Sequence, residues 1–334
     1  MTGVVLRVSA LAKEYAASGA GLGPGVIRAV DGVSFEVRDR EALAVVGGAG
    51  SGKTALARCI AAVRPATSGH VEIAGTVVVG RSSRSLRAAR RRVQLVTEEW
   101  GSSLGPRRTA GALVAETVRA AGSRAGPSRD RAHELLDLVG AEPATYDRRP
   151  AELSDAERFM VCLARALAVG PALLVCDDPL RRLDASARAE LLEVLSELRR
   201  RTSLPIVYLA RDLSGALRLC DRVATMHRGE IVEIAEPGVL ATGALHPYTR
   251  ALHVAGGAAG APLVLVGDPP DPRVRPDGCT LHALCPVARF RCTRDHPALA
   301  ELARGHRVAC HFPGASPDGP DDGRTPGVTV SRGA

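Results

Sequence analysis

Lysine is nearly missing from this chain. Of 44 Lys and Arg residues only Lys13 and Lys53 are lysine, and arginine carries the positive charge elsewhere. Also missing is a signal-peptide shape at the start, MTGVVLRVSALAKEY, which argues against secretion. No long unbroken apolar run is present either. The longest candidate, Phe159 to Cys176, contains Arg165, Gly170 and Pro171, so it reads as a core helix, a turn and a strand rather than a membrane span. No internal repeat is visible, which leaves no sign of a repeat array. These absences point to a cytosolic chain, in which the eight cysteines read as thiols or metal ligands rather than disulfides.

What is present supports a folded protein. The 334 residues, 46% of them hydrophobic, are enough for one large domain plus a smaller one. The net charge of +8 raises the option of nucleic acid or an anionic membrane surface, but Arg87, Arg90, Arg91 and Arg92 read as a solvated face. The informative line is Gly47-Gly48-Ala49-Gly50-Ser51-Gly52-Lys53-Thr54. It fits the phosphate-loop pattern G-x-x-x-x-G-K-[ST]. The apolar run Ala42 to Val46 predicts a strand before it, and Ala55 to Val63 a helix after it. Backbone N–H groups and a helix N-terminus then cradle phosphate. The lysine kept at position 53 suits this, because a compact ammonium fits β/γ-phosphates better than a broad guanidinium fork.

Elsewhere the pattern predicts strands at Val4–Val8, Val33–Val37, His70–Val79, Ala172–Cys176, Pro205–Ala210 and Val223–Met226. A glycine-rich turn is expected over Ser18–Gly25, and helices at Thr109–Ala121, Ser128–Val139 and Ala185–Arg201. Strands alternating with helices predict an α/β fold with a parallel sheet. Proline and glycine thicken after Pro237, and the stretch from Pro313 to Ala334 is poor in apolar residues and expected to be disordered. Asp177-Asp178 closes the buried strand ALLVC. A phosphate loop needs an acidic group there for magnesium, so Asp177 takes that role.

From here the chain resembles the ATPases of ABC transporters. Leu153-Ser154 followed by Arg158 and Ala164-Arg165-Ala166-Leu167 resembles their signature region, and Leu183-Asp184 their D-loop. The strand before Arg211-Asp212-Leu213 is similar to the approach to their switch histidine. Tyr15 lies where the family stacks a ring on adenine, and Val30–Val37 is typical of it. The resemblance covers roughly residues 4 to 312, with the motifs in family order. It implies a phosphate-loop nucleotide-binding domain over 1–240, with a RecA-like core, an antiparallel β subdomain and a helical subdomain at about 98–170. His246-Pro247-Tyr248-Thr249-Arg250 narrows it to the ATP-binding subunits of bacterial oligopeptide/dipeptide importers. A small cysteine-containing C-terminal domain at 241–312 is then expected, with 313–334 as a tail.

Some members of that subfamily hold a four-iron cluster on cysteines resembling Cys279, Cys285, Cys292 and Cys310. Four thiolates suit a [4Fe-4S] cluster; they would also satisfy a tetrahedral zinc ion, but the wide spacing is not the close C-x2-4-C knuckle, and the plain alternative is four ordinary thiols. Cys59, Cys162, Cys176 and Cys220 lie in apolar settings and read as core. The resemblance implies ATP and Mg2+ as ligands, held by residues 47–54, Asp177 and Tyr15, with Ser154 serving the partner's nucleotide. Thr54, Asp177 and Glu98 are the expected magnesium residues.

The chain departs from the family where chemistry is done. The signature LSGGQ is here Leu153-Ser154-Asp155-Ala156-Glu157, which puts two carboxylates beside the expected phosphate. Glu98 takes the place of the Q-loop glutamine, Asp178 that of the catalytic glutamate and Arg211 that of the switch histidine. Asp178, Arg211 and Glu98 are the candidate catalytic set. The expectation is good ATP binding, slow hydrolysis and work beside a second ABC ATPase, a different or an identical copy. The assembly implied sits peripherally on the cytoplasmic face of the membrane, against membrane-spanning permease subunits, with an extracytoplasmic solute-binding protein. A non-hydrolysing, nucleotide-gated scaffold subunit is the alternative. A nucleic-acid role is not expected, because such ABC proteins usually carry two ATPase cores or a coiled-coil insertion, and this chain shows neither.

Overall fold

Strands that are apolar at every position belong in the middle of a sheet covered on both faces, and several segments here have that character. The computed structural model describes residues 3–19, 22–78, 83–122, 127–181, 183–255, 263–268 and 270–317. An antiparallel hairpin comes first. β1 (Val4–Gly19) pairs with β2 (Leu22–Arg38), placing Leu6 opposite Val37 and Tyr15 opposite Ile27. Of the expected turn over 18–25, residues 20–21 lie outside the described residues; both strands run farther into that stretch than their apolar cores suggest.

β3 (Ala42–Val46) is buried at every position and leads through the glycine loop into α1 (Lys53–Ile60). β4 (Ser68–Ile73) and β5 (Thr76–Val77) complete an antiparallel sheet in the order β2-β1-β4-β5. The arginine-rich α2 (Ser83–Arg92) and β6 (Val93–Thr97) carry the chain back to the main sheet. Neither is signalled by the apolar pattern.

α3 (Ala110–Ala121), α4 (Ser128–Leu138) and α5 (Asp155–Leu167) form the helical subdomain. Their limits follow from local chemistry. Thr109 Oγ1 accepts the Ala112 N–H at 3.3 Å to start α3, and Gly122 at φ 70 ends it. Trp100 locks this subdomain to the sheet. Its indole N–H donates to the Pro179 carbonyl at 2.9 Å, and its ring meets Phe159 edge-on at 5.4 Å. Full burial of Phe159 contributes about 2–3 kcal/mol.

The chain then alternates: β7 (Leu173–Asp177), α6 (Ala185–Thr202), β8 (Ile206–Ala210), α7 (Leu213–Leu219), β9 (Arg222–His227) and β10 (Glu230–Ala235). After them come α8 (Pro237–Gly243), α9 (Pro247–Ala255), α10 (Phe290–Arg294), β11 (Ala300–Ala303) and β12 (His306–Val308). The main sheet has the order β11-β12-β10-β9-β3-β8-β7-β6, parallel from β9 to β6. No described helix is long and apolar enough to cross a membrane.

The C-terminal part does not stand apart from this sheet. β12 pairs antiparallel with β10, across the division expected near residue 240. Glu233 on β10 is fully buried and accepts three bonds: from the Leu245 N–H at 2.8 Å, the His246 N–H at 3.1 Å and His306 Nε2 at 2.8 Å. Residues 313–317, expected to begin the tail, are largely exposed but tied back to the fold: the Gly314 N–H donates to the Leu245 carbonyl at 2.9 Å. Residues 318–334 lie outside the described residues.

Candidate functional site

The parallel strands place their C-terminal ends side by side, and the candidate residues collect there. β3 feeds the glycine loop, β7 ends in Asp177, β6 is followed by Glu98, and β8 by Arg211. Together they line one cavity of about 1370 Å³. Two glycines are obligatory for this geometry. A Cβ on Gly47 would strike the Met226 carbonyl, and one on Gly52, at φ 104, would strike the Ala29 carbonyl.

Lys53 is buried at the floor of the loop. Its Nζ donates to the carbonyls of Gly47 and Gly48, the latter at 2.9 Å, and to Ser51 Oγ at 2.9 Å. Burial pulls its ammonium down to about 8, against the opposing pull of Asp178 and Asp177. The Thr54 hydroxyl donates to Asp177 Oδ1 at 3.1 Å. Burial holds the Asp177 carboxyl above its usual range, with the Thr54 hydrogen bond pulling the other way. A hydroxyl and a carboxylate, both hard oxygen donors at the mouth of a phosphate loop, fit Mg2+.

The altered residues are not loose charges. Asp178, in the left-handed region at φ 49, faces Arg211, with Nε 3.2 Å from Oδ2. Burial raises its carboxyl, with Arg211 the largest opposing influence. Glu98 accepts from Arg181 at 2.8 Å, so Arg181, which sequence reasoning passed over, belongs to the site. Ser154 sits at the start of α5 and does not line the cavity of its own chain. It forms a reciprocal cap: its Oγ accepts the Glu157 N–H at 3.2 Å, and Glu157 accepts the Ser154 N–H at 2.8 Å. The two new carboxylates of this segment are both paired, Asp155 with Arg158 and Glu157 with Arg148. Tyr15 is exposed, with Lys13 Nζ 5.0 Å from its ring centroid. The cavity wall on that side is Val26, Ile27 and Arg28 instead.

The cysteine expectation needs correction. Cys279, Cys285, Cys292 and Cys310 do line one cavity, with His282 and His311, but its volume is about 10 Å³. That is room for about one water molecule. Among the described residues, no group of three or more His, Cys, Asp or Glu is placed to hold a metal ion. Burial pushes the thiols of Cys279 and Cys285 up to about 12 and that of Cys310 to about 11. A four-iron cluster does not fit a space of that size. Cys59, Cys162, Cys176 and Cys220 are buried core residues, as expected.

The C-terminal part contributes a wall that sequence reasoning missed. Leu265, Pro270, Arg275 and Thr280 line the same large cavity. Arg228 fixes this stretch by donating to the carbonyls of Pro270, Asp271 and Val274 at 3.0, 3.0 and 2.7 Å.

Comparison with known proteins shows the family. Residues 30–181 match the ABC transporter family. The chain is 37% identical over 319 residues to a "Probable peptide ABC transporter ATP-binding protein" of Sinorhizobium fredii, covering 93% of this chain and 90% of the relative. Brucella abortus and Brucella ovis relatives, 37% and 34% identical, carry names for peptide import ATP-binding proteins; they cover 86% and 92% of this chain, and are themselves covered to 87% and 97%. Among solved structures, the ATP-binding cassette MJ0796, a dimer in a post-hydrolysis state with ADP and phosphate, superposes with a TM-score of 0.60 at 24% identity, over 70% of this chain and 98% of that one. The cbiO1 protein of Clostridium perfringens gives 0.62 at 21%, over 72% and 91%. At those identities the two structures speak for the fold.

Proposed function

Because this chain belongs to the ATP-binding proteins of ABC transporters, we propose that it is the ATP-binding subunit of a peptide-type importer, binding ATP firmly and cleaving it slowly. The observation that carries nucleotide binding is the floor of the large cavity, where Lys53, Thr54 and Asp177 converge on one glycine loop. The peptide assignment follows the names of its relatives. When bound, magnesium neutralises charge on the β- and γ-phosphates. Thr54 and Asp177 are the side chains that would hold it, with Glu98 nearby. The glycine loop orients the phosphates, Lys53 supplies a point charge, and Ser154 serves the site of a partner cassette.

Slow cleavage is supported by the two ion pairs. Asp178 would have to position the attacking water, but its carboxylate is engaged by Arg211 and is one methylene shorter than the family's glutamate. Arg181 engages Glu98 in the same way. These pairs also favour the second reading, a nucleotide-gated scaffold beside a competent ABC ATPase. In either case the chain works peripherally on the cytoplasmic ends of permease subunits, through the helical subdomain, with a second ATPase and an extracytoplasmic binding protein completing the system.

Single-turnover hydrolysis by the purified chain separates the readings. A slow rate that disappears in Asp178→Asn supports a slow enzyme. No cleavage despite tight Mg·ATP binding supports the scaffold. A rate matching a standard ABC ATPase and untouched by Asp178→Asn would exclude both.

A further inference from the structure

The Gly47–Gly48 peptide is gripped at both ends. Lys53 Nζ donates to its carbonyl, and its N–H, on Gly48, donates to the Tyr248 hydroxyl at 2.7 Å. A peptide group is planar and rigid, so holding both ends fixes its plane. Glycines on either side would otherwise leave that plane free to turn. Glycine is also what admits the tyrosine, since a Cβ on Gly48 would stand 3.1 Å from the hydroxyl.

Tyr248 lies 200 residues away in sequence and is itself well anchored. Its N–H donates to His246 Nδ1 at 3.1 Å, and His246 hangs on the buried Glu233. Its ring packs in one apolar cluster with Val232, Leu281, Leu284 and Cys285, and tilts against His227 at 4.4 Å between centroids. One side chain therefore touches the phosphate loop with its hydroxyl and the cysteine-lined lobe with its ring.

We propose that Tyr248 is a positioning residue of the nucleotide site, holding the Gly47–Gly48 peptide in its phosphate-receiving orientation and coupling nucleotide occupancy to the packing of the cysteine-lined lobe. This rests on the nucleotide reading given above. A loop pre-set by Tyr248 spares the nucleotide the cost of ordering it. Coupling of this kind is reciprocal: if the Tyr248 contact strengthens binding by some factor, bound nucleotide strengthens the contact by the same factor. A single neutral hydrogen bond corresponds to about a two- to ten-fold effect.

The test compares the full-length wild type, Tyr248→Phe and Lys53→Ala, using Mg2+ with a non-hydrolysable ATP analogue. The phenylalanine keeps the ring, its cluster and its contact with His227, and removes only the hydroxyl. Tyr248→Phe is expected to bind the analogue about two- to ten-fold more weakly with an unchanged thermal midpoint, while Lys53→Ala loses binding. In the wild type the analogue should slow maleimide labelling of Cys285 and Cys292, read by mass spectrometry, by a matching factor, and Tyr248→Phe should lose that slowing. Equal affinities, or equal slowing in both proteins, overturn the proposal. A folded wild type that binds no analogue refutes the nucleotide reading instead. Should Tyr248→Phe misfold, hydrogen exchange in the wild type decides: a Gly48 amide exchanging as fast as an unstructured peptide overturns the contact, and a protected one supports it.

Discussion

Arg211 Nε stands 3.2 Å from Asp178 Oδ2, the carboxylate proposed above to hold an attacking water. A guanidinium has donors and no acceptor, so it can neutralise Asp178 but cannot take a proton or accept a bond from that water. The pair is partly exposed, so its worth to stability is small. Its consequence is for chemistry.

Lengthening the acid should therefore restore turnover. Asp178→Glu is expected to raise the single-turnover rate about ten-fold or more, because a misplacement of about 1 Å costs on the order of a hundred-fold. Arg211→His should add to the gain by freeing the acid. Phosphate release under excess enzyme measures both. Rates unchanged in the double variant would mean that neither residue limits cleavage.

Lys53 predicts a pH dependence. Its ammonium sits at about 8 where an exposed lysine sits at 10.5. Between those values the unfolded chain binds more protons than the folded one, so the contribution of Lys53 to stability rises with pH across that window. Binding runs the other way. Phosphate needs the ammonium, so affinity for Mg·ATP should be level below pH 8 and fall above it, by at most about ten-fold per pH unit. Proton uptake should appear at pH 8.5 when calorimetry is repeated in buffers of different ionisation enthalpy. Binding without uptake at that pH would contradict the burial argument.

The two left-handed loop glycines should differ. Gly52→Ala sets a methyl against the Ala29 carbonyl at φ 104 and should cost on the order of 3 kcal/mol and abolish nucleotide binding. Gly50→Ala, at φ 75 with open space around it, should cost only about 1 kcal/mol. Thermal denaturation of the two variants gives the comparison. Equal losses would show that backbone conformation alone, and not the collision, is responsible.

Glu233 holds the C-terminal part to the main sheet. Glu233→Ala orphans two N–H groups and His306 in a buried setting and should cost about 3 kcal/mol or more. Limited proteolysis should then cut between residues 241 and 317 before the rest. Resistance equal to wild type would mean that β12 pairing and apolar packing suffice.

Much of the fold was legible along the chain because it is local. The runs ALAVV and ALLVC are apolar at every position and became central strands, and Thr109 and Asp184 cap helices where the pattern starts them. β10 was missed because its sequence EIVEIA carries two glutamates, one of which, Glu233, is buried only because three distant donors meet it. The reach of β1 and β2 beyond their apolar cores was likewise hidden, since pairing between the strands sustains them.

By itself the sequence determined the phosphate loop, the acid at the end of the neighbouring strand and the order of motifs, since each depends on residue type at short spacing. Tertiary structure alone decided what surrounds them. It set Arg211 on Asp178 and Arg181 on Glu98, brought the Tyr248 hydroxyl across 200 residues to Gly48, and gathered four cysteines around a space too small for a cluster. The physical reason is that spacing along a chain encodes contacts within a strand, loop or helix turn. Which side chains meet across a sheet depends on how buried surfaces pack and where their charges and hydrogen bonds must be satisfied.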